Sequence, residues 1–153
     1  MRVVLKSKTA DSRVEIAPLV GQVRVAMIDR LDREFLLDEE LARLEVTSAQ
    51  FVILSHLLKG GSGSACELCK NLNYDRGAMS RMIDRLESKG LLRRVALAHT
   101  RRTVALEVPA AGKAAYPKME ACASRTMNRL LHGISSAEID QLEKVLRKMI
   151  ANG

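Results

Sequence analysis

A chain of 153 residues, 47% of them hydrophobic and 28% charged, is long enough to bury one core and too apolar to remain disordered. A net charge of +7 favours a polyanionic partner, either nucleic acid or an anionic membrane surface. Three cysteines, no signal-peptide core and no apolar run of bilayer length point to a reducing cytoplasm and exclude a membrane-spanning class. With two Phe, two Tyr and no Trp, the core is expected to be aliphatic and rich in methionine.

In chain order, the opening MRVVLKSKTADS reads as a loosely held arm. Over residues 14–37, Ile16, Leu19, Val20, Val23, Met27, Leu31, Phe35 and Leu36 recur at helical spacing, with Pro18 in the first turn, where its missing N–H costs little. Thr47 and Gln50 stand at capping-box spacing ahead of a helix over 48–59, which Gly60 and the GGSGS run end. Ser64 and Glu67 repeat that spacing before the short ACELCKNL helix. Asp75 is a natural N-cap for a helix with Met79, Met82, Ile83 and Leu86 on its apolar face, closed by Gly90. The period then changes: LLRRV and VALEV predict two short strands around the polar tip HTRRT. After Pro109 comes a helix over 110–131, with Pro117 threatening a kink, and after Gly133 a capping-box pair, Ser135 and Glu138, opens a last amphipathic helix.

Between residues 75 and 102 stand eight basic side chains (Arg76, Arg81, Arg85, Lys89, Arg93, Arg94, Arg101, Arg102) and three acids (Asp75, Asp84, Glu87), so most of the net charge is local. Two short helices, the second arginine-faced, followed by a basic-tipped hairpin, have the composition of a winged helix-turn-helix. A helix fits the major groove of B-DNA, and arginines on a hairpin can enter a narrow minor groove.

From Thr47 to Gly112 the chain resembles the MarR family of winged helix-turn-helix regulators, through TSAQFVILSHL, ELCKNLNYDRGAMSRMIDRLESKGLL and RRTVALEVPAAG. The resemblance implies a single domain over 1–153, mainly α with a small β-hairpin wing. Residues 14–37 and 110–151 would form N- and C-terminal dimerisation helices, and residues 47–109 the DNA-binding part. It implies a cytoplasmic homodimeric repressor, not an enzyme, that binds a pseudopalindromic operator in double-stranded DNA and is released by a small aromatic carboxylate or phenolic effector, with no other cofactor. Carried over residue by residue, Arg76, Gly77, Ala78, Ser80 and Arg81 fall at the major groove, and Arg101 and Arg102 on the wing. Arg85 and His99 join them as DNA contacts, although Arg85 stands within pairing reach of its helix neighbours Asp84 and Glu87. Two departures bear on readout. Gly77-Ala78 stands where the family usually has Ser-Thr, which moves readout onto Arg76 and Ser80. Leu97, Ala98, His99 and Thr100 stand where an Asp-Pro-x-Asp usually stiffens the wing.

The effector expectation draws on Arg24 or Arg30 as a cationic lining with His56. Cys66 and Cys69 form a C-x-x-C pair, but with no second Cys or His pair at ligand spacing they read as small core residues rather than a metal or redox site, and Cys122 reads as core or interface. A metal site from three scattered histidines is not expected, and no nucleophile-base constellation, phosphate loop or paired carboxylate suggests catalysis. Two rival readings remain open: a thiol-redox-responsive regulator, and a winged-helix protein-interaction module without an operator.

Overall fold

The computed structural model describes residues 14–60, 63–96 and 104–153. The N-terminal arm, part of the GGSGS run, and the hairpin tip with His99, Arg101 and Arg102 lie outside the described residues. The described elements run α1 (Ile16–Leu37), α2 (Glu39–Leu44), α3 (Ser48–Leu58), α4 (Ala65–Leu72), α5 (Arg76–Ser88), β1 (Arg93–Ala96), β2 (Val104–Glu107), α6 (Ala110–Leu130) and α7 (Ser136–Asn152). This is a mainly α winged helix, with β1 and β2 as an antiparallel hairpin pairing Arg93 with Glu107 and Ala96 with Val104. The chain ahead of α4 lies along β2: the Leu106 N–H donates to the Gly63 carbonyl at 2.6 Å, and Ser64 bridges Ala105.

The caps read from the sequence form. Thr47 and Gln50 make a reciprocal capping box at α3, Ser135 and Glu138 another at α7, and Gly60, Gly90 and Gly133 all take positive φ at helix ends. At α4 the box is half made: Ser64 Oγ accepts from the Glu67 N–H at 3.2 Å, while the Glu67 carboxylate takes the Ser64 hydroxyl rather than its backbone N–H. The sequence reading left α2 unassigned. Asp38 starts it, breaking the chain away from α1 and accepting from the N–H groups of Glu40 and Leu41 at 3.1 and 3.0 Å. Pro117 lies inside α6, which runs through it from Ala110 to Leu130.

One core joins the parts. Leu41, Ile53, Leu54, Leu68, Met79, Ile83, Leu86, Leu91 and Leu92 are all at most 1% exposed and bind α2 through α5 to the base of the hairpin. Each such side chain contributes roughly 1.5–3 kcal/mol by leaving water. Phe35, Met119 and Cys122 continue this core between α1 and α6. The interior is aliphatic as expected, but it is not rich in methionine. Met79 and Met119 are the buried methionines among the described residues, and three of the four aromatics gather at one joint. Phe51 meets Phe35 edge-on at 6.1 Å and stacks on Tyr116 at 5.7 Å, and the Tyr116 hydroxyl donates to Ser55 Oγ at 3.0 Å. Scarcity of aromatic residues says nothing about where they collect.

Two polar ties fix the arrangement. Glu34 of α1, 4% exposed, is held between Arg125 Nε at 3.0 Å and Arg129 Nη1 at 3.1 Å, both on α6. Lys89, just past α5, donates to the Glu45 carbonyl at 2.5 Å and to Gln50 Oε1 at 3.2 Å. Burial pushes the Lys89 ammonium below its usual range, against the pull of Glu45 and with a push from Arg85. Gly112 lets α6 approach the hairpin base: a Cβ there would collide with the Leu91 carbonyl oxygen and sit 2.6 Å from Val108 Cγ1.

Candidate nucleic-acid interface

α5 is built as a two-faced rod. Asp75 caps its start by accepting from the Ala78 N–H at 2.8 Å. Met79, Ile83 and Leu86 are at most 1% exposed, which fixes the rotation of the helix about its axis. The opposite side then carries Arg76, Gly77, Ser80, Arg81 and Arg85, all exposed, with Ala78 half-buried beside them. These are the α5 residues expected to meet DNA, and the fold brings them onto one solvent-facing surface. At Gly77, an added Cβ would lie 3.2 Å from Asp75 Oδ1 and 3.4 Å from Arg81 Nη1, so the Arg81 guanidinium arches back toward the first turn.

Carboxylates neutralise the surrounding arginines rather than these. Arg94 pairs with Asp84 at 2.6 Å and with Glu87, and those two partners hold its guanidinium more firmly protonated than usual. Arg93 pairs with Glu107 across the hairpin at 2.7 Å. Arg76, Arg81 and Arg85 make no salt bridge among the described residues, so the sequence-level pairing of Arg85 with Asp84 or Glu87 gives way to Arg94. The cause is geometric: Arg94 reaches back from the strand and satisfies both acids at once. An exposed helix with uncompensated guanidinium groups can bind phosphate and, through bidentate arginine, the edge of guanine.

The three residues expected to line an effector pocket do not converge within one chain. His56 lines a cavity of about 490 Å³ with Phe51, Val52, Ser55, Lys59, Gly60 and Leu72. Arg30 lines a different one with Arg33, Glu34 and Arg129, and Arg24 lines neither. The cation beside His56 is instead Lys59, three residues along α3 and therefore on the same face, a spacing visible in the sequence. Lys59 is shared with Glu120 at 3.5 Å. A neighbouring cavity of about 250 Å³, also bounded by Phe51 and Val52, is lined by Met27, Leu31 and Met127. Thr126 borders it, and its Oγ1 is buried with no hydrogen-bond partner among the described residues. A lone hydroxyl in an apolar wall leaves no sequence signal.

The cysteines divide differently from the sequence reading. Cys122 is fully buried, and burial raises its thiol pKa against the opposing pull of Arg125. Cys66, read as a small core residue, is exposed, and Cys69 is half-buried; both line a cleft of about 360 Å³ against α5. The short α4 buries one stripe through Leu68 and leaves its N-terminal turn outside the core.

Residues 46–104, spanning α3 to the start of β2, match the model of the MarR family. The chain is also similar to a mutant of Escherichia coli MarR crystallised with operator DNA: 25% identity, 94% of this chain and 99% of that one, TM-score 0.78. This stretch, residues 46–104, is similar to the MarR family. MarR-family proteins are DNA-binding transcriptional regulators, not enzymes, and after α3 the family model spans α4, α5 and β1 and ends at the first residue of β2. The fold of the regulator BldR from Sulfolobus solfataricus superimposes with a TM-score of 0.82 at 18% identity, over 96% of this chain and 100% of that one. An organohalide-sensing regulator, solved with 2,4-dichlorophenol, does so with 0.76 at 16% identity, over 99% and 89%. No helix among the described residues is long and apolar enough to cross a membrane.

Proposed function

We propose that this chain is a homodimeric repressor of the MarR type that reads a pseudopalindromic operator and leaves it when a small aromatic acid or phenol binds. Arg76, Gly77, Ala78, Ser80, Arg81 and Arg85 enter the major groove. The hairpin tip, with His99, Arg101 and Arg102, reaches the adjoining minor groove. Residues 47–109 do the reading, and residues 14–37 and 110–151 do the pairing. The observation that carries this is the division of α5, whose Met79, Ile83 and Leu86 are buried, with Met82 partly so, while Arg76, Arg81 and Arg85 face water without carboxylate partners among the described residues. A helix about 10–12 Å across suits a major groove about 12 Å wide.

Pairing is supported by apolar side chains that one chain leaves uncovered, among them Leu19, Val20 and Val23 on α1 and Leu142, Leu146 and Ile150 on α7. Release by an aromatic effector is supported by the adjoining His56 and Thr126 cavities: the first offers His56 and Lys59 to a carboxylate, the second an unpaired hydroxyl to a phenol. Arg24 and Arg30 take part only if a second copy brings them near.

Selecting sites from random duplex DNA with the purified protein, then titrating the selected duplex against a scrambled one across salt concentrations, tests the reading. Preference for one sequence and a steep fall of affinity with salt are expected, and a module for protein contact would give neither. Arg76→Ala should weaken binding by roughly 1–3 kcal/mol and relax selection at one base pair. Unchanged selection would mean that α5 is not the reader. For the effector, benzoates and phenols should raise the melting temperature and lower operator affinity, with phenols losing effect in Thr126→Val and benzoates in His56→Ala.

A further inference from the structure

The cation beside His56 already has a partner within the chain. Lys59 Nζ lies 3.5 Å from Glu120 Oε1, and the Tyr116 hydroxyl stands 3.4 Å from the same oxygen. Lys59 lines the cavity with His56, Phe51 and Val52, whereas Glu120 comes from α6. Tyr116 is buried, fixed by its stack on Phe51 at 5.7 Å and by Ser55 Oγ at 3.0 Å. A buried tyrosine thus keeps an α6 carboxylate close to the α3 ammonium. We propose that Glu120 is a resident stand-in for a ligand carboxylate, and that displacing it from Lys59 sets how the His56 cavity chooses between aromatic acids and uncharged aromatic compounds. The place of Glu120 in regulation rests on the reading of this cavity as the effector site, whereas the charge preference itself does not.

Charge bookkeeping gives the preference its sign. Lys59 is the Lys or Arg of that lining among the described residues. One ammonium beside two carboxylates leaves a negative charge uncompensated, so an entering aromatic acid meets a cation that is already paired and a like charge next to it. An uncharged aromatic of the same shape meets neither obstacle. The size of the effect follows from exposure: the Lys59 and Glu120 side chains are 66% and 51% exposed, so water screens the pair. Selectivity of a few-fold is therefore expected, rather than of orders of magnitude. The weakness suits an exchangeable contact. Tyr116 is anchored independently of Lys59 and stays beside Glu120 when the ammonium turns to a ligand, so the carboxylate is at hand to return when the ligand leaves.

Binding of benzoate and of benzamide, its uncharged counterpart, is measured by titration calorimetry on the full-length protein at low salt, in the wild type, Glu120→Gln, Lys59→Gln and the double variant. Glu120→Gln should bind benzoate about threefold to fivefold more tightly than the wild type, with benzamide within about twofold of it. The gain should shrink as salt rises, and most of it should vanish in the Lys59→Gln background. Equal benzoate affinity in the wild type and Glu120→Gln overturns the stand-in, as does an equal gain for benzamide or a gain that survives without Lys59. The effect of benzoate on binding to the selected duplex is read in parallel. If benzoate weakens operator binding by the wild type while Glu120→Gln binds benzoate no better, the effector reading stands and the stand-in falls. If Glu120→Gln gains benzoate selectively and no ligand alters operator binding, the stand-in holds and the effector reading falls. Absence of benzoate binding to every one of these proteins at millimolar concentration overturns both.

Discussion

α5 and α7 are both amphipathic helices begun by a side-chain cap, yet they end up in opposite states. In α5 the apolar face is buried by the chain's own core, and what remains outside is polar and basic. In α7 none of the residues is buried, and Leu142, Val145, Leu146, Met149 and Ile150 are 39–79% exposed. The N-terminal part of α1 shares that condition, with Val20 and Val23 uncovered. The same sequence pattern therefore carries two meanings. Where the stripe is satisfied internally, the outer face is available for a different kind of partner. Where it is not, the stripe itself asks for one. The half around α5 is closed within one chain, and the half around α7 is not.

The contrast can be broken most forcefully by making the same kind of cut in both helices. Met79→Ala should cost the chain about 2–5 kcal/mol of unfolding free energy, measured by urea titration, because the core cannot collapse around the loss. Leu142→Ala should leave the concentration-independent stability within about 0.5 kcal/mol while lowering the association constant seen in sedimentation. Equal effects of the two would erase the distinction. Next in size, Gly112→Ala should destabilise by roughly 1–3 kcal/mol, since the new methyl group meets the Leu91 carbonyl and Val108 where α6 crosses the hairpin base. A thermal midpoint unchanged from the parent would show that the crossing can yield.

Smaller effects sharpen the picture of α5. Arg94→Ala removes the partner of Asp84 and Glu87, and as a partly exposed pair it should change stability by no more than about 1 kcal/mol. Its base selection should stay that of the parent, unlike that of Arg76→Ala. Smallest is a pH effect at the start of α7. The Glu138 carboxyl is held below its ordinary 4.5 by the Ser135 hydroxyl and backbone N–H. Its folded value being depressed, the cap's contribution is complete above pH 4.5 and is lost as pH falls through the lowered value. Helicity from 136 onward should fray in acid, and Glu138→Gln should flatten that dependence as followed by amide NMR.

Local chemistry was the legible part of this chain. Thr47, Asp75 and Ser135 announced their helices because a cap acts within four residues, and the arginine face of α5 followed from its apolar period. What was illegible depends on distant partners. Asp38 begins a helix of only six residues, too short for a period to register. Asp84 and Glu87 stand within pairing reach of Arg85 on their own helix, and nothing in the sequence says that Arg94 folds back across them. His56 and Arg30 were grouped by chemistry and are separated by packing. Cys66 was read as interior from its residue type, whereas the short α4 turns that position outward.

The ammonium of Lys89 ties the C-terminal end of α5 to the joint where α2 gives way to α3. With Met79, Ile83 and Leu86 also seated in the core, the rod is held at its tail and along its inner side, so its outer residues are displayed on a stiff mount.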